Sequence, residues 1–423
     1  MKIVFFSHYF PPEVNAPANR TYENCREWVK RGHEVHVITC VPSHPLGVAF
    51  EGYRSGWYRR EVRDGIVVHR VWTSLAANRG VVKRTLNFLS FVPTAVWRAL
   101  RLGPCDLIIG TSPQFFCAVA ACLAAMLKQI PWIFELRDLW PDSISAVGAQ
   151  RRYMPMRILE RIELFMYRHA TAVVALSRAF IENLASRGID RSKMTYVPNG
   201  VDMAFWAAGS RARGRAALDV DDRTLVVSYV GTIGMAHDVG TILDAAKLVR
   251  DAGTGARFLI VGDGAELERL RDRAKAEHLD HVTFTGLVPR ESIPDYLAAS
   301  DISLVTLKAS DLFKTVLPSK MFESMAASRP IVLAVGGEAQ ATLERSGGGL
   351  AIPAGDPRAL ASAIQALGAD VDRRLAMGEA GRQFVEQEFG RAAWAARFLD
   401  MLHRARRAKV TGAAPEAGAS LTY

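Results

Sequence analysis

The sequence of 423 residues lacks any run of about 18 uncharged apolar residues, the length that a membrane-spanning helix needs. Its most apolar stretch, from Phe115 to Leu127, is followed by Lys128 and is predicted to be a buried helix. Cysteine is also scarce, because the five cysteines form no Cys-x-x-Cys pair and lie in apolar surroundings. This usage argues against a disulfide framework and predicts a reduced, cytoplasmic protein.

Three signatures of common site chemistry are missing as well. There is no Walker A sequence, no Gly-x-Ser-x-Gly elbow, and no His/Cys/Asp cluster with the spacing of metal ligands. We therefore expect no bound metal and no cofactor. Acidic residues are fewer than basic ones, 43 against 53, which gives a net charge of +10. This excess favours an anionic partner, such as nucleotide phosphates, nucleic acid or an anionic membrane surface.

Short apolar runs recur along the chain and are predicted to be strands, among them Ile3–Phe6, Leu225–Val230, Ile331–Ala334 and Leu350–Ile352, and helix-length segments separate them. Continuous apolar runs are typical of parallel strands buried on both faces. The pattern predicts an α/β protein with two Rossmann-like, doubly wound domains. We place the first domain at 1–204, the second at 205–388, a last helix at 389–410 and a disordered tail at 411–423. The charged segment Ala207–Arg223 is predicted to be a linker.

The segment Leu317–Glu323 places a helix start, a lysine and a carboxylate in the connection that follows the apolar run Ile302–Val305. Lys320 and the helix N-terminus could face phosphates there, and Glu323 could accept the hydroxyl groups of a ribose. The alternative is a surface ion pair between residues three positions apart.

Two glycine turns follow neighbouring apolar runs, Gly231-Thr232-Ile233-Gly234 and Gly262-Asp263-Gly264. Glycine there would let the backbone approach a ligand, although a tight turn between strand and helix explains each one separately. With Leu317–Glu323, three strand ends of one parallel sheet would converge on one crevice, where such sheets bind ligands.

The first domain has comparable features. Asn15-Ala16-Pro17-Ala18-Asn19 is predicted to be a flexible loop of small residues, and Arg137-Asp138 ends another strand. The Arg137-Asp138 pair could contact an acceptor or could be an ion pair that only caps the strand. Ser177 is interpreted as a helix N-cap.

Taken in chain order, these motifs resemble those of the family 4 glycosyltransferases of GT-B fold. The likeness is greatest to the bacterial branch that builds O-antigen, capsule, lipopolysaccharide and colanic-acid-type polysaccharides and includes fucosamine transferases. The resemblance covers residues 1–405 and depends on eight segments: Ser7–Arg20, Arg31–Val35, Arg137–Asp142, Val197–Asp202, Gly231–Gly234, Gly262–Gly264, Pro318–Glu323 and Gly337–Ala339.

The resemblance implies two domains facing a cleft, with the last helix crossing back to the first domain. It also implies a retaining, metal-independent transfer of a sugar from a nucleotide diphosphate sugar. UDP is the favoured nucleotide and an N-acetylated deoxy sugar is a candidate donor group. The residues it implies for donor binding lie in the second domain: Gly231, Thr232, Gly234, His237, Gly262, Asp263, Gly264, Lys314, Ser319, Lys320 and Glu323.

Two departures from the family pattern concern the donor site. The family's first glutamate, eight positions before Glu323, is replaced by Thr315. The arginine and lysine that usually neutralise the diphosphate correspond to Thr232 and His237. We therefore predict that Lys320, with Lys314 in support, supplies the missing positive charge.

The family's acceptor enters from the first domain, where the candidate residues are Asn15, Ala16, Arg137 and Asp138. The predicted catalytic residues are Lys320, Glu323 and Asp138, with Asp138 as a polar group on the acceptor side. In retaining chemistry of this kind the leaving phosphate can take the proton of the acceptor, so no dedicated base is required.

The predicted acceptor is a saccharide linked to polyprenyl diphosphate, which would be presented on the inner face of the bacterial plasma membrane. The helix Thr85–Leu102 is apolar and has a basic rim, so it could lie on an anionic membrane. The alternative is a helix packed inside the domain with arginines as a solvated rim. The basic residues in question are Arg79, Lys83, Arg84, Arg98 and Arg101.

Two rival functions fit parts of the sequence. A nucleotide-sugar epimerase of GT-B fold would use the same cleft without an acceptor. It needs carboxylates or histidines that face the sugar as acid and base, and the strand ends of the first domain offer few of these. A basic nucleic-acid-binding protein agrees with the charge, but no recognised nucleic-acid-binding motif accompanies the basic residues. We expect no nucleic-acid partner.

Overall fold

We describe a computed structural model of the chain for residues 1–44, 47–75, 81–139 and 154–411, with the backbone alone for 81, 82, 84, 154–156 and 409–411. Arg79, Trp140-Pro141-Asp142 and the predicted tail beyond 411 lie outside these residues. The chain forms two compact units. The first unit contains Met1–Pro198 and the residues from Ala392 onward, and the second contains Asn199–Arg391.

The first unit is built on a sheet with the strand order β3-β4-β2-β1-β5-β6-β7-β8. β3 pairs with β4 in antiparallel fashion, and the remaining neighbours pair in parallel. The strands are β1 (Lys2–Phe6), β2 (Glu34–Cys40), β3 (Tyr58–Arg63), β4 (Ile66–Val71), β5 (Leu107–Thr111), β6 (Trp132–Leu136), β7 (Ala172–Ala175) and β8 (Met194–Tyr196). Among these eight strands, β3 is the strand that the apolar pattern did not predict.

Helices connect the strands of the first unit. They are α1 (Ala16–Lys30), α2 (Val81–Leu100), α3 (Phe115–Lys128), α4 (Met154–His169) and α5 (Arg178–Ser186). The predicted N-cap Ser177 is confirmed, because its Oγ accepts from the Phe180 amide at 3.1 Å. The predicted flexible loop at Asn15–Asn19 is wrong. Asn15 is instead the N-cap of α1, its Oδ1 accepting from the Ala18 amide at 2.9 Å, and Pro17 occupies the first turn.

The second unit contains a sheet with the order β11-β10-β9-β12-β13-β14, in which neighbouring strands are parallel. Its strands are β9 (Leu225–Val230), β10 (Ala256–Val261), β11 (Val282–Gly286), β12 (Ile302–Thr306), β13 (Ile331–Ala334) and β14 (Gly349–Ala351). β9, β10 and β12 lie side by side. Their carboxyl ends therefore meet at one edge, as the sequence predicted.

The helices of the second unit begin before its first strand. They are α6 (Met203–Ala207), α7 (Arg211–Leu218), α8 (Val239–Asp251), α9 (Leu267–Ala276), α10 (Ile293–Ala299), α11 (Ser319–Ala326), α12 (Glu338–Ser346), α13 (Pro357–Ala369) and α14 (Val371–Glu388). The predicted linker Ala207–Arg223 is therefore wrong. It contains α7, which packs on α10 so closely that a Cβ at Gly214 would lie 2.1 Å from the Asp295 carbonyl oxygen.

The last helix, α15 (Arg391–Thr411), returns to the first unit and packs on α1. The Trp28 Nε1 donates to the Ala395 carbonyl at 3.0 Å, and the rings of Trp28 and Phe398 are 5.1 Å apart. Both rings are fully buried, so α15 completes the core of the first unit.

Within the described part of the chain, no helix is both long enough and apolar enough to span a membrane.

Candidate active site

The two glycine turns of the second unit pack directly on each other. The Gly231 amide donates to the Val261 carbonyl at 2.9 Å, and the Ile233 amide donates to the Asp263 carbonyl at the same distance. A Cβ at Gly262 would lie 2.0 Å from the Gly231 carbonyl oxygen, and one at Gly264 would lie 2.2 Å from that of Ile233. Contact between the turns therefore explains Gly262 and Gly264 without a ligand, and the pair forms one backbone platform.

Lys320 reaches this platform from the first turn of α11. Its Nζ donates to the Tyr229 hydroxyl at 2.6 Å and lies 4.1 Å from the centre of the Tyr229 ring. The Tyr229 hydroxyl in turn donates to the Thr232 carbonyl at 2.7 Å. Gly231 has a φ of +146°, and a Cβ there would lie 2.9 Å from the Lys320 Nζ. Glycine at 231 therefore leaves the space that the amine occupies.

Two further contacts fix α11, one to β12 of the sheet and one to the residue that ends α14. The Ser324 and Ser303 hydroxyls are 2.7 Å apart in a buried hydrogen bond, and the Phe322 ring stacks on Phe389 at 4.2 Å. Glu323 lies between these two anchoring residues and is half-buried. Because both neighbours are fixed, the backbone of α11 that carries Lys320 and Glu323 is held in place.

The pKa values of two donor-side residues, Lys320 and His237, lie below their ordinary values. Burial lowers the pKa of Lys320 to about 7, although the nearby Glu323 charge opposes the shift. Burial, with the Lys320 charge as a smaller cause, lowers the pKa of His237 to about 3. His237 is therefore neutral near pH 7. Its Nδ1 is buried beside Gly234.

Lys314 occupies a different position from the other donor-side candidates. Its exposed amine contacts the Asp311 carboxylate at 2.7 Å, and its backbone lies against Gly337. Lys314 and Lys308 line a cavity of about 590 Å³ at the carboxyl ends of β12, β13 and β14. The Lys314 amine thus pairs with an exposed carboxylate. Its predicted support of Lys320 stays a prediction.

The four acceptor-side candidates of the first unit lie together. An Arg137 guanidinium nitrogen donates to the Pro17 carbonyl at 3.2 Å, which places this residue beside Asn15 and Ala16 in the first turn of α1. The Ser112 hydroxyl accepts from the amides of Arg137 at 2.8 Å and Asp138 at 3.3 Å. The carboxyl ends of β5 and β6 thus hold Arg137 and Asp138 near the start of α1.

Sequence reasoning missed two residues that organise these sites. Tyr229 was treated only as part of a buried strand, although a buried tyrosine hydroxyl needs a polar partner and so signals a nearby one. Glu13 is buried and accepts from the Ser43 and His44 amides at 3.0 and 2.9 Å, which fixes the connection between β1 and α1. Burial raises the pKa of Glu13 to about 7, although these amides oppose the shift.

The chain is similar to known proteins over both units. Residues 15–200 match the family described as glycosyl transferase 4-like domain, and residues 224–370 match glycosyl transferases group 1. WcaI of Escherichia coli K12, named as a colanic acid biosynthesis glycosyl transferase, is 27% identical over 354 residues, which cover 81% of this chain and 84% of WcaI.

Solved structures share the fold at low sequence identity. Sucrose-phosphate synthase of Thermosynechococcus elongatus has a TM-score of 0.74 at 18% identity, covering 96% of this chain and 99% of that one. Anabaena HepE in complex with UDP-glucose has a TM-score of 0.71 at 17% identity, covering 95% and 99%. The predicted GT-B fold is confirmed, and the chain belongs to the glycosyltransferases, with a glycosyl transferase 4-like domain followed by a group 1 domain.

Proposed function

We propose that this glycosyltransferase moves a sugar from a UDP-linked donor to a saccharide carried on polyprenyl diphosphate, in the synthesis of a bacterial surface polysaccharide. The observation that carries the donor half is the Lys320 amine, held at the Gly231 turn beside the N-terminus of α11. A cation and a helix N-terminus at one point suit a diphosphate. The names of WcaI and of the HepE complex support the polysaccharide and the UDP-sugar respectively.

In this proposal the diphosphate lies against Lys320 and the Gly231-Thr232 turn. Glu323, three residues further along α11, accepts the hydroxyl groups of the ribose. The neutral His237 imidazole, which is only partly buried, forms a hydrogen bond to the ligand. Thr315, at the position of the family's usual first glutamate, brings no negative charge to the donor sugar.

The proposed reaction retains the configuration of the transferred sugar. The bond between the sugar C1 and the diphosphate oxygen breaks, and the acceptor oxygen forms a bond to C1 on the same face. The acceptor's proton moves to the departing phosphate, which is why the step requires no separate base. Lys320 stabilises the charge that develops on this phosphate, so the step is proposed to proceed without a metal ion. Asp138 orients the acceptor hydroxyl.

A thermal-shift panel of UDP, GDP, ADP and dTDP tests the donor half. A nucleotide present at a hundredfold excess over its Kd stabilises the folded protein by about 2.7 kcal/mol. We expect the largest rise in melting temperature with UDP. A larger rise with another nucleotide would change the donor base, and no rise with any of the four would contradict a nucleotide-sugar transferase.

The affinity for the nucleotide is expected to fall above about pH 7. Burial lowers the pKa of the free Lys320 amine to about 7, so this amine loses its proton as the pH rises through that value. The diphosphate prefers the protonated amine, and each further pH unit should therefore weaken binding by up to about tenfold. Calorimetric titration with UDP between about pH 6 and pH 9 measures the slope. A Lys320→Met variant should bind weakly at every pH, and an equal slope in that variant would assign the titration to another group.

A further inference from the structure

The helices α2, α3 and α4 cover the same face of the first sheet. Each connects two parallel strands in the same direction across the sheet, and right-handed crossovers place such helices on one side. The contacts agree, because a Cβ at Gly110 of β5 would touch Ala121 of α3 and Trp132 of β6. On that same face the Phe134 ring packs on Tyr167 of α4 at 4.8 Å.

The outer surface of this helical layer is unusually apolar. Each helix exposes large apolar side chains at helical spacing, so that they form a stripe. On α4 these are Ile158, Ile162 and Phe165, and Ile158 is 53% exposed. On α3 they are Leu123, Met126 and Leu127, with Leu127 62% exposed, and on α2 they are Leu86, Leu89 and Leu100. Nine exposed large apolar residues on three helices of one layer exceed the single, scattered ones that a protein surface normally shows.

The charges on these helices have one dominant sign. The three helices contain seven Lys and Arg residues but only two acids, Glu160 and Glu163, and Glu163 is buried. On α4 the exposed Arg157, Arg161 and Arg168 form a row next to the apolar stripe. An apolar stripe with a cationic border is the pattern of helices that lie in the interface of an anionic bilayer.

Tryptophans and arginines lie at the edge of the layer near α2. The Trp57 ring, 62% exposed, stacks on Trp72 at 6.4 Å and meets the edge of Trp97 of α2 at 6.2 Å. The Arg101 guanidinium lies 4.2 Å from the Trp97 ring centre. Tryptophan and arginine are the side chains that bilayer interfaces favour, because their apolar parts enter the lipid while their polar groups reach the headgroups.

We infer that this outer face of α2, α3 and α4, hereafter the helical face, is the surface by which the protein lies on an anionic lipid bilayer. The sequence suggested only Thr85–Leu102, whereas the structure adds α3 and α4. The inference rests on the proposed function for its purpose, since a polyprenyl-linked acceptor is held in a bilayer. A second copy of the chain is a poorer occupant, because a twofold contact would bring together two faces with the same dominant charge.

Sedimentation of the full chain with phosphatidylglycerol-rich vesicles tests the inference. We expect binding at about 0.1 M salt, weaker binding at about 1 M salt, and little binding to phosphatidylcholine vesicles. The double variants Ile158→Gln/Ile162→Gln and Leu123→Gln/Leu127→Gln should each bind about tenfold more weakly. The matched control is Val371→Gln/Leu375→Gln, an exposed pair with the same spacing on α14 of the second unit, which should bind normally.

Two outcomes would overturn the inference. One is native protein that fails to bind anionic vesicles at low salt, or double variants that bind as well as the native chain. The other is a double variant that turns an oligomer into a monomer in sedimentation velocity and leaves vesicle binding unchanged, because the face would then be a contact between copies. The UDP thermal shift is an independent readout, since the vesicle variants should keep it. Failure of the nucleotide proposal would therefore be recognised separately.

Discussion

A Lys320→Ala enzyme is expected to turn over about a hundredfold more slowly than the native enzyme. The departing diphosphate develops negative charge, and one well-placed donor or cation stabilises such a transition state by about 3 kcal/mol. Lys320 suits this role because Tyr229 holds its amine at the Gly231 turn. The measurement is kcat for release of the nucleotide from the donor that the thermal-shift panel selects.

Lys314→Ala is the matched control, because it removes a second lysine six residues earlier, in the connection between β12 and α11. Its amine is exposed and pairs with Asp311, so the loss of turnover should be far smaller. Gly231→Ala keeps the charge of Lys320 but changes the position of its amine, since the added Cβ would displace it. The backbone φ of +146° also disfavours any side chain at 231, so Gly231→Ala should cost less when added to Lys320→Ala than it costs alone, and the cost that remains measures the backbone strain. Near-normal turnover in Lys320→Ala, with an unchanged melting temperature, would refute the assignment.

Much of the fold was predictable because the buried parallel strands have continuous apolar runs. Leu225–Val230 and Ile331–Ala334 were predicted with the bounds that the structure has. β3 was missed because Tyr58–Arg63 is an exposed, charged edge strand whose partner, β4, lies on one side only. α7 packs on α10 at Gly214, a contact between distant residues that local composition does not reveal.

The candidate site was predicted only in part, for a related reason. The motif around Lys320 and the two glycine turns could be recognised in the sequence. The residue that orients the Lys320 amine is Tyr229, 91 positions earlier, and no local pattern connects them. Similarly, Gly262 and Gly264 are required by the carbonyls of the facing turn, so a ligand is not needed to explain them. Asn15 and Pro17 carry an ordinary helix-start signal, which composition alone obscured.

Removal of the Arg20 side chain is expected to destabilise the first unit by about 3–5 kcal/mol. The guanidinium lies within the core, where its Nε donates to Glu135 at 2.8 Å and its other nitrogens donate to the Val197 and Pro198 carbonyls. The side chains of Arg20 and Glu135 are only 2% and 0% exposed. An Arg20→Leu variant would leave a buried carboxylate without its principal partner. Urea unfolding followed by circular dichroism measures the loss.

The pH dependence of this loss distinguishes the buried charge from simple packing. Burial favours the neutral form of Glu135, but the charges of Arg20 and Arg137 hold its pKa below the usual value in the native protein. Without Arg20, burial should raise the pKa of Glu135. The variant's carboxyl group can then take up a proton as the pH falls, so the difference in stability from the native protein should shrink toward acid pH. A loss of constant size across pH would mean that packing, and not charge, is responsible.

Lys30→Ala provides the contrast on the same helix. Lys30 forms an exposed ion pair with Glu27 at 2.8 Å, and such pairs contribute at most about 1 kcal/mol. The double variant Arg20→Leu/Glu135→Leu should regain part of the lost stability, since no unpaired charge remains buried. The recovery should be incomplete, because the Val197 and Pro198 carbonyls also lose the donors that Arg20 supplies. Arg20 lies in α1 and its guanidinium donates to the two carbonyls that follow β8, so it connects the last strand of the first unit to the helix whose first turn holds two acceptor-side candidates. If Arg20→Leu lowered the free energy of unfolding no more than Lys30→Ala does, this connection would not stabilise the first unit.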